Sequence, residues 1–221
     1  MSVRIRYIIF SYLLFIVLAI IIGLLASTFN LPWFWAVFVV ESLIGSVSIF
    51  KIDDDLLAER AKPAGKDEDP HATKILSALF IAHFVLAALD VGRWHLSNTV
   101  PVPLQVIGLI CVALGWSGLM WAMITNRYFS SAIRLQDDRG QHVVMSGPYK
   151  YVRHPGYATA SIAFIGQALA LGSWIALVPM VLVAVIMFKR TLQEEQLLSA
   201  KLPGYREYQT LVPYRWCPGV W

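Results

Sequence analysis

Six runs of almost uninterrupted apolar residues, at about 7–28, 32–50, 74–92, 103–125, 156–171 and 174–190, limit what this chain can fold into. A bilayer core is crossed by about 20 apolar residues in a helix. In hydrocarbon every backbone polar group must be satisfied within its own segment, so each run predicts a helix rather than an open sheet. Composition agrees: 57% of residues are hydrophobic and 14% charged, against roughly 45–50% and 25% in soluble domains. The expected fold class is therefore all-α, a polytopic transmembrane helical bundle of about six helices whose last two form a hairpin. The chain divides into N-terminal membrane helices over 1–125 and a C-terminal region over 126–221 that contains the hairpin 156–190.

The first run follows a basic start with Arg4 and Arg6. It is longer than the roughly 7–15-residue core of a secretory signal, which predicts a retained first span. Pro32 suits the first turn of the second helix. Pro179 predicts a kink in the sixth. With the N-terminus placed in the cytoplasm, every Lys and Arg except Arg93 falls on the inner side, seventeen of eighteen. That asymmetry orients the chain with both termini cytoplasmic. The inner segment 51–74, with its Asp53-Asp54-Asp55 and Asp67-Glu68-Asp69 runs, reads as a solvated linker.

Small residues recur at helical spacing in the first span (Ala19, Gly23, Ser27) and the fourth (Gly108, Cys111, Gly115, Gly118, Ala122). Such stripes mark close helix contacts in lipid. Polar residues at mid-membrane are costly and have a partner or a task. Glu41 and His83 fall at matching depth, either as a structural pair or as groups facing a substrate; Ser42 or Ser46 could also hold a neutral Glu41. Asp90 and Arg93, three apart, read as an ion pair. The two cysteines, Cys111 and Cys217, give neither a disulfide framework nor metal spacing, and no metal is expected. The net charge of +4 is modest, and no nucleic-acid partner is expected.

The remaining polar chemistry lies in two clusters on either side of the hairpin, whose ends a hairpin brings together. Upstream stand Gly147-Pro148-Tyr149-Lys150-Tyr151-Val152-Arg153-His154-Pro155-Gly156-Tyr157; downstream come Arg190, Glu194-Glu195, Leu202-Pro203-Gly204-Tyr205 and Val212-Pro213-Tyr214-Arg215. Over about residues 141–221 the order and spacing of these blocks resemble the isoprenylcysteine carboxyl methyltransferase-like family, which includes membrane phospholipid methyltransferases. The resemblance implies transfer of a methyl group from S-adenosylmethionine to a lipophilic acceptor. It implies cofactor contacts from Tyr149, His154, Pro155, Gly156, Tyr157 and Glu194, and backbone contacts from the strand-like segment of Gln141, Val143 and Val144. Where the family often has His, this chain has Gln141, with His142 one place later. Arg190, four residues before Glu194, matches the family's substrate-side Arg.

The residue types suit that cofactor. Tyr149, Tyr151 and Tyr157 can offer aromatic faces to a cation or adenine. Glu194 can accept from a ribose or amino group, and Arg153 or His154 can hold a carboxylate. Arg190 and Glu194 share a helix face. The catalytic candidates are thus Arg190, Glu194 and His154, with Arg190, Glu41 and His83 toward the substrate. Each has a plainer reading: Arg153 as a headgroup anchor, Tyr149 and Tyr151 as interfacial aromatics, Glu195 on a solvated face. The Arg-His-Pro-x-Tyr block and the Val-Pro-Tyr-Arg ending also resemble NADPH-dependent membrane sterol and steroid reductases. A non-catalytic, lipid-binding membrane scaffold is the third possibility.

Overall fold

The computed structural model describes residues 3–221; Met1 and Ser2, at the basic start, lie outside the described residues. Eight α-helices are described: α1 (Val3–Ala26), α2 (Pro32–Ile49), α3 (Asp54–Ala61), α4 (Pro70–Leu89), α5 (Val102–Thr125), α6 (Pro155–Ala170), α7 (Leu177–Lys201) and α8 (Tyr205–Leu211). There is no strand among the described residues. Prolines open α2, α4 and α6, where a missing N–H breaks no helical bond. Asp53 and Asp69 cap α3 and α4 by accepting from Asp55 N and Ala72 N.

Four helices are long and apolar enough to cross a membrane: α1, α2, α4 with its continuation to Trp94, and α5. Of the about six expected, these four meet that measure by length and composition. Helix α6 has 16 residues, and α7 stays apolar only from Leu177 to Phe188 before Lys189 and Arg190. The tip of this hairpin nevertheless packs on the 90–97 turn beyond α4. Ser173 Oγ donates to Asp90 Oδ2 at 2.6 Å, and Ile175 N donates to Ser97 Oγ at 2.9 Å. Pro179 falls in the first turn of α7, not mid-span, so it interrupts no ladder and the expected kink has no cause.

The outward faces of the bundle are apolar: Phe10, Leu24, Leu114 and Val185 are all exposed, as side chains facing lipid would be. The inward face of α5 is its glycine stripe. A β-carbon on Gly115 would lie 2.6 Å from Thr159 O and Ala163 N, and one on Gly108 2.5 Å from Ala170 N. Only a bare backbone lets α5 and α6 approach this closely. In α1 the stripe does less: Gly23 accommodates the ring of Phe29, and it is Ala26 that meets Gly92.

Asp90 and Arg93 do not pair. Asp90 accepts from Leu96 N, Ser97 N, Ser97 Oγ and Ser173 Oγ, while Arg93 donates to Ser27 Oγ and Leu24 O. A π-helical turn over Asp90–Trp94 sets Asp90 among these donors.

Nor is 51–74 a solvated linker. Leu56 and Leu57 of α3 are buried. Glu59 forms a two-pronged buried pair with Arg134 (3.0 and 2.9 Å), Asp67 accepts from Ile133 N, and Asp55 accepts from Arg127 and Arg139. The acidic runs that looked solvated are the partners of a basic segment sixty or more residues away in sequence.

Candidate functional site

The site forms where the hairpin's two feet meet residues 126–154. The latter contain no strand. Gln136 and Gln141 pin the segment as an irregular loop: Gln136 Nε2 donates to Tyr128 O and Gln141 Oε1 accepts from Gln136 N, both at 2.7 Å. The strand-like reading of 141–144 is corrected accordingly, and the Gln141 side chain is spent on its own loop. The backbone N–H groups of Val143 and Val144 take no intrachain hydrogen bond among the described residues, and both residues line the central cavity. Gly147, at φ +55, then turns the chain into a short 3-10 segment over Gly147–Lys150. This buries Tyr149, whose carbonyl accepts from Tyr208 Oη at 2.7 Å. Burial pushes the Tyr149 phenol above its ordinary range.

His154 precedes α6. Its backbone N–H donates to Arg215 O at 2.9 Å, so the C-terminal tail holds the start of the hairpin. Its ring stacks on Tyr157 at 5.9 Å between centroids. Nε2 lies 3.0 Å from Glu195 Oε1. A carboxylate accepts only, so Nε2 carries the proton and Nδ1 faces Glu194, whose Oε2 is 3.9 Å away. His154 and Glu194 therefore stand on one face of the molecule, beside one cavity.

Glu195, read as solvated, is the buried hub of this region. Arg153 grips it with Nε (2.6 Å) and Nη2 (2.8 Å). Tyr205 Oη (3.0 Å), Gln209 Nε2 (3.2 Å) and Arg215 Nε (3.1 Å) donate as well. Burial opposes its charge, but the His154 and Arg153 hydrogen bonds outweigh burial and hold the carboxyl well below the usual range. Arg153 gives its remaining Nη1 to Val212 O at 2.6 Å. Three of its five N–H donors are thereby spent inside the protein, so it is no headgroup anchor, and it lines the cavity. The two adjacent glutamates differ because a helix turns about 100° per residue: Glu195 points among α8 and the tail, Glu194 into the cavity.

Arg190, one turn before Glu194, is buried. It donates to Asp69 O (3.2 Å), Thr73 Oγ1 (3.4 Å) and Ser131 O (3.0 Å), with no carboxylate within ion-pair distance among the described residues. Helix α7 is thereby tied to both loops that roof the site. The Tyr157 hydroxyl adjoins Arg190 and Glu194. Pro155 is buried and supplies the helix start rather than a cavity wall. Gly156 fits against the Phe129 ring, which a β-carbon would meet at 2.3 Å. Tyr151 is 62% exposed and outside the cavity.

The cavity has a volume of about 610 Å³. It runs from Tyr157, Glu194 and Tyr205 at its polar end to Phe15, Glu41 and Phe164 among the membrane helices. Glu41 Oε1 accepts from Trp116 Nε1 and Gln167 Nε2, each at 2.9 Å. The expected Glu41–His83 pair is absent. His83 is fully buried against Phe80 and Phe84, bonds the Phe80 carbonyl and lies outside the cavity, so its substrate-facing role is corrected to packing. Sequence reading missed Arg60 of α3 and Asn126 and Tyr128 of the loop after α5 as cavity walls; nothing local in the sequence marks them. Gln167, a lone amide in an apolar run, was a readable signal for a partner to Glu41. Among the described residues there is no group of three or more His, Cys, Asp or Glu that could hold a metal.

The chain is similar to the cobalt-zinc-cadmium resistance protein CzcN of Cupriavidus metallidurans, with 25% identity over 135 residues, 60% of this chain. The match spans 58% of that relative's length. The family model that matches is the isoprenylcysteine carboxyl methyltransferase family, over residues 106–200. That interval covers α5, the roofing loop, the hairpin and nearly all of α7. The apolar helices and this match together suggest an integral membrane protein. From the glycine face of α5 to the Arg190–Glu194 turn, residues 106–200 are similar to the isoprenylcysteine carboxyl methyltransferase family.

Proposed function

We propose that this protein is an integral membrane methyltransferase that uses S-adenosylmethionine to methylate a lipophilic acceptor drawn from the bilayer. One observation carries the reading: a single cavity joins the family-matched residues Tyr149, His154, Tyr157, Arg190 and Glu194 to the apolar interior of the helix bundle.

The residues present fit the cofactor. Glu194 lines the cavity with only the Tyr157 hydroxyl and, at 3.9 Å, His154 Nδ1 beside its carboxylate. Tyr149 and Tyr157 offer faces for adenine or the cationic sulfur. The open N–H groups of Val143 and Val144 can take the cofactor's acceptors. Arg153, through its grip on Glu195, positions His154.

S-adenosylmethionine supplies a methyl carbon already activated by a sulfonium. The protein's share is then proximity and alignment. Arg190, whose hydrogen bonds all go to neutral oxygens, orients an anionic or polar acceptor head. A carboxylate acceptor needs no base. A protonated acceptor would lose its proton toward His154 Nδ1 or Glu194, the nearest open bases. In the membrane, both termini and the site face the cytoplasm, and the α6–α7 hairpin reaches through to the opposite turn, completing six passes.

Calorimetric titration of the purified protein with S-adenosylmethionine and, separately, NADPH tests the reading. Binding of S-adenosylmethionine alone is expected. Binding of NADPH alone would make the protein a reductase, and binding of neither would leave a non-catalytic scaffold.

A further inference from the structure

The bilayer end of the cavity holds a polar group for which methyl transfer gives no use. Glu41, 9% exposed, stands on α2 and lines the cavity. Both of its donors, Trp116 Nε1 and Gln167 Nε2, converge on Oε1. Oε2 has no partner among the described residues. A carboxyl group within a membrane span is costly unless it has a partner or a task, and Oε2 is not among the fully enclosed unpaired side-chain atoms. A purely structural clamp between α2, α5 and α6 would engage both oxygens. Here one is left toward the cavity, where Ser42 and Ser46 of the same helix also line the wall. His83 makes the contrast. Its unpaired Nε2 is enclosed among aromatic rings with no cavity beside it.

The two ends are one substrate length apart. Gln167 follows Tyr157 by ten residues on α6, a rise of about 15 Å. A prenyl or acyl chain lying along this path would leave Glu41 facing methylenes, without a partner.

We propose that Glu41 selects the acceptor: it hydrogen-bonds a hydroxyl or amine carried at the far end of a lipophilic molecule whose reacting head lies beside Tyr157 and Glu194. The substrate class is therefore a two-headed amphiphile, not a plain hydrocarbon tail on one polar head. The position of the reacting head rests on the methyl-transfer reading; the Glu41 contact does not. A hydroxyl donates and accepts and an ammonium donates, so the contact forms whether the carboxyl is ionised or neutral.

Equilibrium binding to the full chain in lipid nanodiscs tests this, with decanoic, dodecanoic and tetradecanoic acids and their ω-hydroxy and ω-amino derivatives as probes. For at least one chain length, wild type is expected to bind an ω-substituted acid about tenfold more tightly than the plain acid, the equivalent of about 1.4 kcal/mol. In Glu41→Leu the preference should fall below twofold while the plain acid binds as well or better. Glu41→Gln keeps an oxygen for Trp116 and Gln167, and serves if the leucine variant fails to fold; it should lose the amine preference and keep part of the hydroxyl one. No preference in wild type, including no binding of any acid, overturns the proposal, as does a preference that survives both variants. S-adenosylmethionine titrated into the same samples reports separately on the methyl-transfer reading.

Discussion

Glu195→Gln is the sharpest perturbation the structure offers. The carboxylate receives Arg153 twice, His154, Tyr205, Gln209 and Arg215, and its side chain is 6% exposed. An amide preserves the shape but replaces one acceptor oxygen with an NH₂, which then faces donor groups and leaves the buried Arg153 charge uncompensated. Breaking one side of a buried pair costs about 3–5 kcal/mol. For a chain of this size each kcal/mol lowers Tm by about 2–4 °C, so a drop on the order of 10 °C is expected. Differential scanning fluorimetry in detergent reads it directly. Because the folded-state pKa of Glu195 lies below its ordinary 4.5, its contribution is complete above that value and is lost as pH falls below it. The gap between wild type and variant should therefore be full at pH 7 and narrow as the solution is acidified below about 4.5. A variant melting within 2 °C of wild type at pH 7 would refute the hub, and with it the placement of His154.

Three further outcomes follow from the same geometry. Glu194→Gln should weaken S-adenosylmethionine binding by about tenfold by calorimetry, about 1.4 kcal/mol, with Tm little changed, because this carboxylate faces the cavity and its neighbours there, the Tyr157 hydroxyl and His154, can also face an amide. Equal small effects at 194 and 195 would remove both assignments. Gly115→Val should destabilise by more than about 2 kcal/mol in thermal melts, since its side chain would collide with the α6 backbone at Thr159 and Ala163. Asp55→Asn weakens the ion pairs with Arg127 and Arg139; hydrogen exchange over 53–66 should quicken, with Tm little changed because the Asp55 side chain is half exposed.

The membrane helices were legible because lipid imposes a simple rule: an apolar run must become a helix, and its bounds follow within a few residues. The observed α2 (Pro32–Ile49) and α5 (Val102–Thr125) lie within a residue or so of the runs at 32–50 and 103–125. The α5 stripe was legible for a similar reason, since close approach of two backbones admits only small residues. Sequence also placed His154, Tyr157, Arg190 and Glu194 at the two feet of one hairpin, which chain connectivity alone requires to be neighbours.

Tertiary structure decided the rest. Which of two adjacent glutamates is buried depends on the rotation of α7 against α8 and the tail, and no local pattern records that angle. The acidic 51–74 segment became a roof because its partners, Arg134, Ile133, Arg127 and Arg139, come from the loop after α5. Glu41 and His83 share a depth but not a direction: one faces Trp116 and the cavity, the other an aromatic core. A residue's place within an apolar run fixes how far along the helix axis it lies. Packing alone fixes which neighbour it meets there, and the chemistry depends on that neighbour.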